Sequence, residues 1–237
     1  MDRIVYLDNN ATTQMAQEVV SIMAENAGLY GNASSMHTLG RSSASAIQWA
    51  REEVAALIDS DPGEIYFVSG ASEANNTVFN VFRDRIDAGD KRNRILLSSV
   101  EHPASIETMK YLVSKGYKVE TVPVDGVGEL KLDELEKMMG DDVCLVSIMT
   151  GNNESGVIQP VKKAAEIAHK YGAYFHTDAT QAIGKIPVSV KDIGADYLSM
   201  SAHKFYGPKG IGVLYAKKGV PLSPFVHGGH QEKGYRA

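Results

Sequence analysis

Lys204 stands at the centre of Ser199-Met-Ser-Ala-His-Lys-Phe-Tyr-Gly-Pro-Lys-Gly210. It follows the apolar residues Tyr197, Leu198 and Met200 and precedes a Gly-Pro turn, a pattern that puts it on a strand-to-loop exit. An amine on a flexible stem becomes a nucleophile once a desolvated setting lowers its pKa, and the chemistry open to it is a Schiff base with an aldehyde cofactor. A lone lysine is more often a solvated surface charge. The reading turns on Phe175-His-Thr-Asp-Ala-Thr-Gln-Ala182, an apolar strand that ends in an acid and an amide. An acid at a strand end upstream of a Schiff-base lysine supplies the carboxylate that pairs with a pyridinium nitrogen. Lys204 and Asp178 together point to pyridoxal phosphate. A carboxylate about 4 Å from the ring nitrogen contributes on the order of 4 kcal/mol at an effective dielectric near 20, roughly three pKa units before desolvation, enough to hold the ring protonated as an electron sink.

The elements that must position these residues alternate between strand-like and helix-like segments, the pattern of a mostly parallel sheet flanked by helices in an α/β fold. Ile47, Ala50, Val54, Leu57 and Ile58 recur at helical spacing, which predicts a long amphipathic helix over 39–59 that Pro62-Gly63 ends. Residues 64–68 read as a buried strand running into Gly70 and a helix over 71–88. That strand, glycine turn and helix start form an anion site, since free backbone N–H groups and the helix dipole point at the loop. The strand over 94–100 ends at Glu101-His102-Pro103. Proline suits a first helical turn, so His102 falls at a strand's carboxyl end, where ligands sit in open α/β sheets. Further units follow as strands over 117–123 and 143–149, helices over 132–139 and 161–171, strands ending at Asp178 and near Ser201, and a closing strand over 212–216. Val161, Ala164, Ala165 and Ala168 are the buried stripe of the second of those helices, with Gly172 at its C-cap. No repeat or linker interrupts the chain, and one domain is the economical reading.

The 237 residues, 43% hydrophobic and 22% charged, are ordinary for a soluble globular chain, and the formal net charge of −5 argues against a nucleic-acid or anionic-membrane surface. The basic cluster Lys91-Arg-Asn-Arg94 reads as a solvated loop. No apolar run is long enough for a membrane span, and Met1-Asp-Arg-Ile-Val has no signal-peptide core, so a cytoplasmic protein is expected. The single cysteine, Cys144, excludes an internal disulfide and a cysteine zinc site, and no metal is expected. Its flanks, Val143 and Leu145-Val-Ser-Ile148, place it in an apolar strand as a small hydrophobe and a poor nucleophile.

Tyr6-Leu-Asp-Asn-Asn-Ala-Thr-Thr13, Gly31-Asn-Ala-Ser-Ser-Met-His37, Ser69-Gly-Ala-Ser-Glu-Ala-Asn-Asn76, Glu101-His-Pro-Ala104, Asn152-Asn-Glu-Ser-Gly156 and the two stretches above follow one another in order. The chain thereby resembles the cysteine desulfurases, in the class V aminotransferase group of fold-type I pyridoxal-phosphate enzymes. The resemblance runs from residue 6 to the last residues. It implies that Lys204 is the Schiff-base lysine, that Asp178 pairs with the ring nitrogen, and that His102 stacks on the ring and transfers protons. Gln181 is similar to the family's amide donor to the phenolic oxygen, and Asn153 to a second polar group at that edge. Ala71, Ser72, Ser201 and His203 resemble the phosphate-binding set. Ser72 stands where threonine is usual and keeps the hydroxyl, and His230 replaces a third glycine in Gly228-Gly-His-Gln-Glu232.

What the resemblance implies for function is conversion of L-cysteine to L-alanine, leaving a persulfide that supplies a sulfur acceptor or an iron–sulfur scaffold protein, in a homodimer. Residues 1–237 would be the cofactor-binding large domain with its amino-terminal segment. A carboxy-terminal small domain would follow, with the persulfide-forming cysteine and an arginine for the substrate carboxylate, so these residues alone are expected to bind cofactor without releasing sulfide. Two further readings share the lysine and the aspartate: a sibling enzyme such as a selenocysteine lyase or aminotransferase, and a non-catalytic cofactor-binding or interaction module. The Asn-Asn-Ala-Thr-Thr start and the Gly-Gly-X-Gln-Glu loop favour the desulfurase.

Overall fold

Seven strands, β1 (Ile65–Val68), β2 (Arg94–Ser98), β3 (Lys118–Val122), β4 (Val143–Ser147), β5 (Tyr174–Asp178), β6 (Tyr197–Ser201) and β7 (Gly212–Ala216), form one sheet in the order β1-β7-β6-β5-β4-β2-β3. The structure is a computed structural model that describes residues 4–237; the first three residues of the amino-terminal stretch read for a signal peptide lie outside the described residues. Only β7 runs against its neighbours, so β6, β5, β4, β2 and β3 are parallel and the expected α/β fold is met. The helices are α1 (Gln17–Asn26), α2 (Thr38–Leu57), α3 (Ala71–Asp87), α4 (Pro103–Ser114), α5 (Leu132–Met138), α6 (Val161–Lys170) and α7 (Val190–Ile193).

Both faces of the sheet are covered, which is why its strands read as near-continuous apolar runs and not as alternation. On one face Val78, Phe79 and Phe82 of α3 pack with Ile95, Leu97, Leu145 and Tyr197. On the other, Ala164, Ala165 and Ala168 of α6 pack with Leu96, Val146, Phe175 and Leu198. The small alanine stripe lets α6 lie close to the sheet. Its end is a Schellman turn: Ala173 N–H reaches Ala168 O at 3.0 Å, Gly172 N–H reaches His169 O at 2.9 Å, and Gly172 takes φ +72°, a conformation glycine adopts without a Cβ penalty.

Three expectations need correction. The long helix α2 ends at Leu57, five residues before Pro62, because Asp59 adopts φ +57° and Ser60 N–H closes on Ala55 O at 2.9 Å. Its apolar stripe is only half used, with Ile47 and Leu57 exposed while the buried seam is Gly40, Ser43, Arg51 and Ala55. The basic cluster is not a solvated loop. Arg94 lies in β2 and binds both carboxylate oxygens of Asp142 at 3.1 and 3.0 Å, and Arg92 donates to Tyr171 O at 2.8 Å, capping the carbonyl end of α6. Composition alone shows the charges but not the carbonyls that fold next to them. Of the elements, α1 and α7 were not anticipated.

Candidate active site

The carboxyl ends of β1, β2, β4, β5 and β6 open on one side of the sheet, and the loops leaving them enclose a cavity of about 160 Å³. All nine residues expected at the site line it: Ala71, Ser72, His102, Asn153, Asp178, Gln181, Ser201, His203 and Lys204, joined by Met149 and Thr180.

Asp178 is the last residue of β5 and 3% exposed. Its Oδ2 accepts from Asn75 Nδ2 at 2.7 Å and its Oδ1 from Thr180 N–H at 3.0 Å, so donors on both oxygens fix the plane of the carboxylate. Lys204 closes a short 3-10 turn, Ala202–Lys204, that leaves β6. Its Nζ donates to Asn10 O at 2.6 Å and Ala11 O at 2.9 Å, and partial burial pushes its pKa down while Asp178 and Asp8 pull it back up. The net fall favours the neutral, nucleophilic amine.

The carbonyls of Asn10 and Ala11 come from the Tyr6–Thr13 stretch, whose role the sequence left open. Thr13 fastens this strap, donating through N–H and Oγ1 to His203 O at 2.8 and 2.9 Å and accepting from Tyr206 N–H at 2.7 Å. Gln181 is oriented by the same strap. Its Nε2 donates to Asn10 O at 2.9 Å while Lys185 Nζ, a donor only, holds Oε1. The amide therefore turns its donor end to the Asn10 carbonyl that Lys204 also meets.

His102 caps α4, with Nδ1 accepting from Ala104 N–H at 3.1 Å, so the ring proton of the neutral imidazole sits on Nε2. Pro103 at the first helical position, as expected, starts the helix without spending an N–H.

The anion end of the cavity depends on a close approach at Gly212. Ala71 N–H reaches Ser201 Oγ at 2.7 Å although β7 lies between β1 and β6. A Cβ on Gly212 would sit 2.5 Å from Gly70 Cα and 2.5 Å from Met200 O, so only glycine lets the two loops meet. Ser201 Oγ accepts from Ala71, which leaves its own proton free to be donated to a ligand. His203 Nδ1 pairs with Thr12 Oγ1 at 3.1 Å, and burial with Lys204 and Lys209 nearby lowers its pKa and keeps it neutral. Ser72 adds a hydroxyl at the start of α3.

This donor set fits the phosphate, and Asp178 and Lys204 fit the ring nitrogen and aldehyde of pyridoxal phosphate. Thr180 Oγ1 is buried at the cavity with no protein partner, a further polar group left for a ligand.

Glu101, next to His102, was quoted above only as a motif residue. It is buried, with Oε1 accepting from Ser98 Oγ at 2.5 Å and Met149 N–H at 2.7 Å, and Oε2 unpartnered. Burial first, then the Asp178 charge, push its pKa up to about 8 against the two hydrogen bonds. Glu101 is thus a neutral acid at pH 7. The unfolded chain releases this proton near 4.5 and the folded chain only near 8, so the fold binds more protons between those values and stability falls as pH rises through that window. Glu101→Gln removes the titration. The unfolding free energies of variant and parent should coincide near the bottom of the window and separate in the variant's favour toward its top, by up to about 1.4 kcal/mol per pH unit. A constant offset would mean that Glu101 is charged in the fold.

The sequence matches the aminotransferase class-V family over residues 5–236. It is 48% identical to a cysteine desulfurase of Sinorhizobium fredii, covering 99% of this chain and 61% of that protein. It is 44% identical to cysteine desulfurase IscS of Methanosarcina thermophila, covering 100% of this chain and 58% of that protein. The chain thus spans about three fifths of the length of these relatives. Among solved structures, a NifS-like protein superposes with a TM-score of 0.95 at 45% identity, covering 98% of this chain and 64% of that one. A structure described as SspA in complex with cysteine superposes with a TM-score of 0.92 at 34% identity, covering 98% and 67%.

Proposed function

The chain belongs to the aminotransferase class-V family, whose cysteine desulfurase branch depends on pyridoxal phosphate, and from that premise we propose that residues 1–237 form the cofactor-binding large domain of a cysteine desulfurase. The observation that carries the reading is the single cavity holding Lys204, Asp178 and His102 beside an anion cradle built from Ser72, Ser201 and His203. When bound, pyridoxal phosphate supplies an aldehyde carbon for an amine and a ring that draws electron density from the substrate α-carbon.

The protein's own part is positional and electrostatic. Ser72 at the start of α3, where the helix end favours an anion, and Ser201 and His203 at the exit of β6 would hold the phosphate with neutral donors. Asp178, its carboxylate plane fixed by donors on both oxygens, would face the ring nitrogen. Lys204 would offer its amine to the cofactor's aldehyde, and the same Nζ would be the base positioned for a substrate's α-proton. His102 presents Nε2–H over the same space, and Gln181 and Asn153 bound the opposite edge. The substrate is L-cysteine, the products L-alanine and a persulfide passed to a sulfur-acceptor or iron–sulfur scaffold protein, and a cytoplasmic homodimer is part of the proposal. It draws support from the relatives' names and from the cysteine bound in the SspA structure.

The test is borohydride reduction of protein loaded with pyridoxal phosphate, followed by peptide mass spectrometry. Cofactor mass is expected on Lys204; mass on another lysine, or on none, overturns the assignment. L-Cysteine should perturb the cofactor's absorbance more strongly than L-alanine, and equal responses would favour a sibling aminotransferase.

Cys144 is not the sulfur-accepting thiol. It is 2% exposed within β4, its Sγ lies 3.3 Å from Arg94 O, and burial pushes its pKa up to about 12. A thiolate nucleophile needs an exposed, electropositive setting. Sulfide release from cysteine by these residues should be low and unchanged by Cys144→Ser; robust desulfuration by the parent that vanishes in this variant would reverse the assignment.

A further inference from the structure

Asn75 lies one turn into α3 with 0% exposure, and nothing in the family motifs gave it a role. Its Nδ2 donates to Asp178 Oδ2 at 2.7 Å and lies 3.3 Å from Ser105 Oγ. The contact follows from a match of periods between α3 and β5. Asn75 meets Asp178, and four residues on, Phe79 meets His176 edge-on at 6.4 Å between ring centroids, two residues back along the strand. Four residues of helix rise about 6 Å and two of strand about 6.6 Å, so the two pairs lock together. His176 is itself pinned between Ser147 Oγ at 2.8 Å and Ser199 Oγ at 3.0 Å, and burial keeps it neutral. The helix is thereby held in a register that delivers the amide to the carboxylate.

The carboxylate is an acceptor only, which fixes the amide with Nδ2 toward Asp178 and leaves Asn75 Oδ1 buried without a partner. Packing alone would favour a leucine of similar volume, which strands no acceptor. Ser105, the second contact, is in the first turn of α4, the helix that His102 caps. One amide therefore touches both the acid and the element that carries His102.

We infer that Asn75 is a positioning residue that sets the Asp178 carboxylate against the helix of His102, so that the acid meets the cofactor's ring nitrogen in one fixed orientation. The inference rests on the pyridoxal-phosphate reading of the site.

The experiment is a double-mutant cycle on the dissociation constant of pyridoxal phosphate, using Asn75→Leu, Asp178→Asn and both together in the full chain. Asn75→Leu should weaken binding about tenfold in the parent background, the scale of one hydrogen bond to a charged group, and leave it unchanged in the Asp178→Asn background. With 15N-labelled cofactor, the pyridine nitrogen signal of Asn75→Leu should move toward that of an unprotonated ring. Asn75→Ser, the milder variant, carries the same measurement should the leucine variant fold poorly. Equal losses in both backgrounds with an unmoved nitrogen signal would show a purely structural residue and overturn the inference while leaving the cofactor reading intact. No binding by the parent protein would overturn both.

Discussion

Lys204→Ala should slow exchange of the α-proton of a bound amino acid with solvent by on the order of 10⁴-fold or more, the scale on which loss of a catalytic nucleophile acts. Three separate jobs end with the one side chain. The variant has no amine for the covalent link, no base at Nζ for the α-proton, and no partner at Nζ for the Ala11 carbonyl that the amine meets at 2.9 Å, while Asn10 O keeps only Gln181 Nε2. Cofactor binding should weaken less than exchange, because Ser72, Ser201 and His203 still hold the phosphate, so dialysis removes cofactor from the variant but not from the parent. Lys204→Arg separates charge from nucleophilicity: it keeps a cation there and should be as inactive as the alanine variant. A Lys204→Arg protein that retains more than about a tenth of the parent exchange rate would show that Lys204 acts only through its charge.

The parts of this site that were legible in the sequence are those set by one element at a time. Asp178 ends an apolar run, Lys204 follows one, and His102 precedes a proline. Each statement needs only the strand period or the chemistry of a first helical turn, and the structure places all three on one cavity. Contacts between elements were not legible. That Ala71 N–H reaches Ser201 Oγ depends on β7 entering between β1 and β6 with Gly212 at the crossing, and no local pattern announces strand order.

The same limit explains the strap. Tyr6–Thr13 could be quoted as a motif, but its work is done by the backbone carbonyls of Asn10 and Ala11, which any residue type could present. It explains Arg51 as well. This residue sits in the buried seam of α2, where an apolar side chain would be expected, because Glu232 pairs with it at 2.8 and 2.9 Å. Glu232 also accepts from Phe67 N–H at 2.8 Å and so occupies a donor of the edge strand β1. Glu232 is thus an anchor for the carboxy-terminal loop, and Glu232 and Lys233 take φ +45° and +59° there. A charge 181 residues away along the chain cannot be read from α2's own sequence.

Asp178→Asn should slow exchange of the substrate α-proton with solvent by about three orders of magnitude, while Gln181→Asn should slow it by no more than about tenfold. The difference lies in what each group gives. Asp178 is 3% exposed and fully supplied with donors, Asn75 Nδ2 at 2.7 Å and Thr180 N–H at 3.0 Å, so its charge is held in place without water to screen it. Removing that charge forfeits an interaction of about 4 kcal/mol with a protonated ring nitrogen. Gln181 gives one neutral hydrogen bond, and Asn10 O at 2.9 Å already shares its Nε2. Its loss is on the scale of about 1 kcal/mol. Deuterium incorporation into a slow substrate such as L-alanine, followed by proton NMR, reads the step directly and needs no sulfur acceptor. If the two substitutions slow exchange equally, Asp178 shapes the pocket and does not supply the charge that draws electrons from the α-carbon.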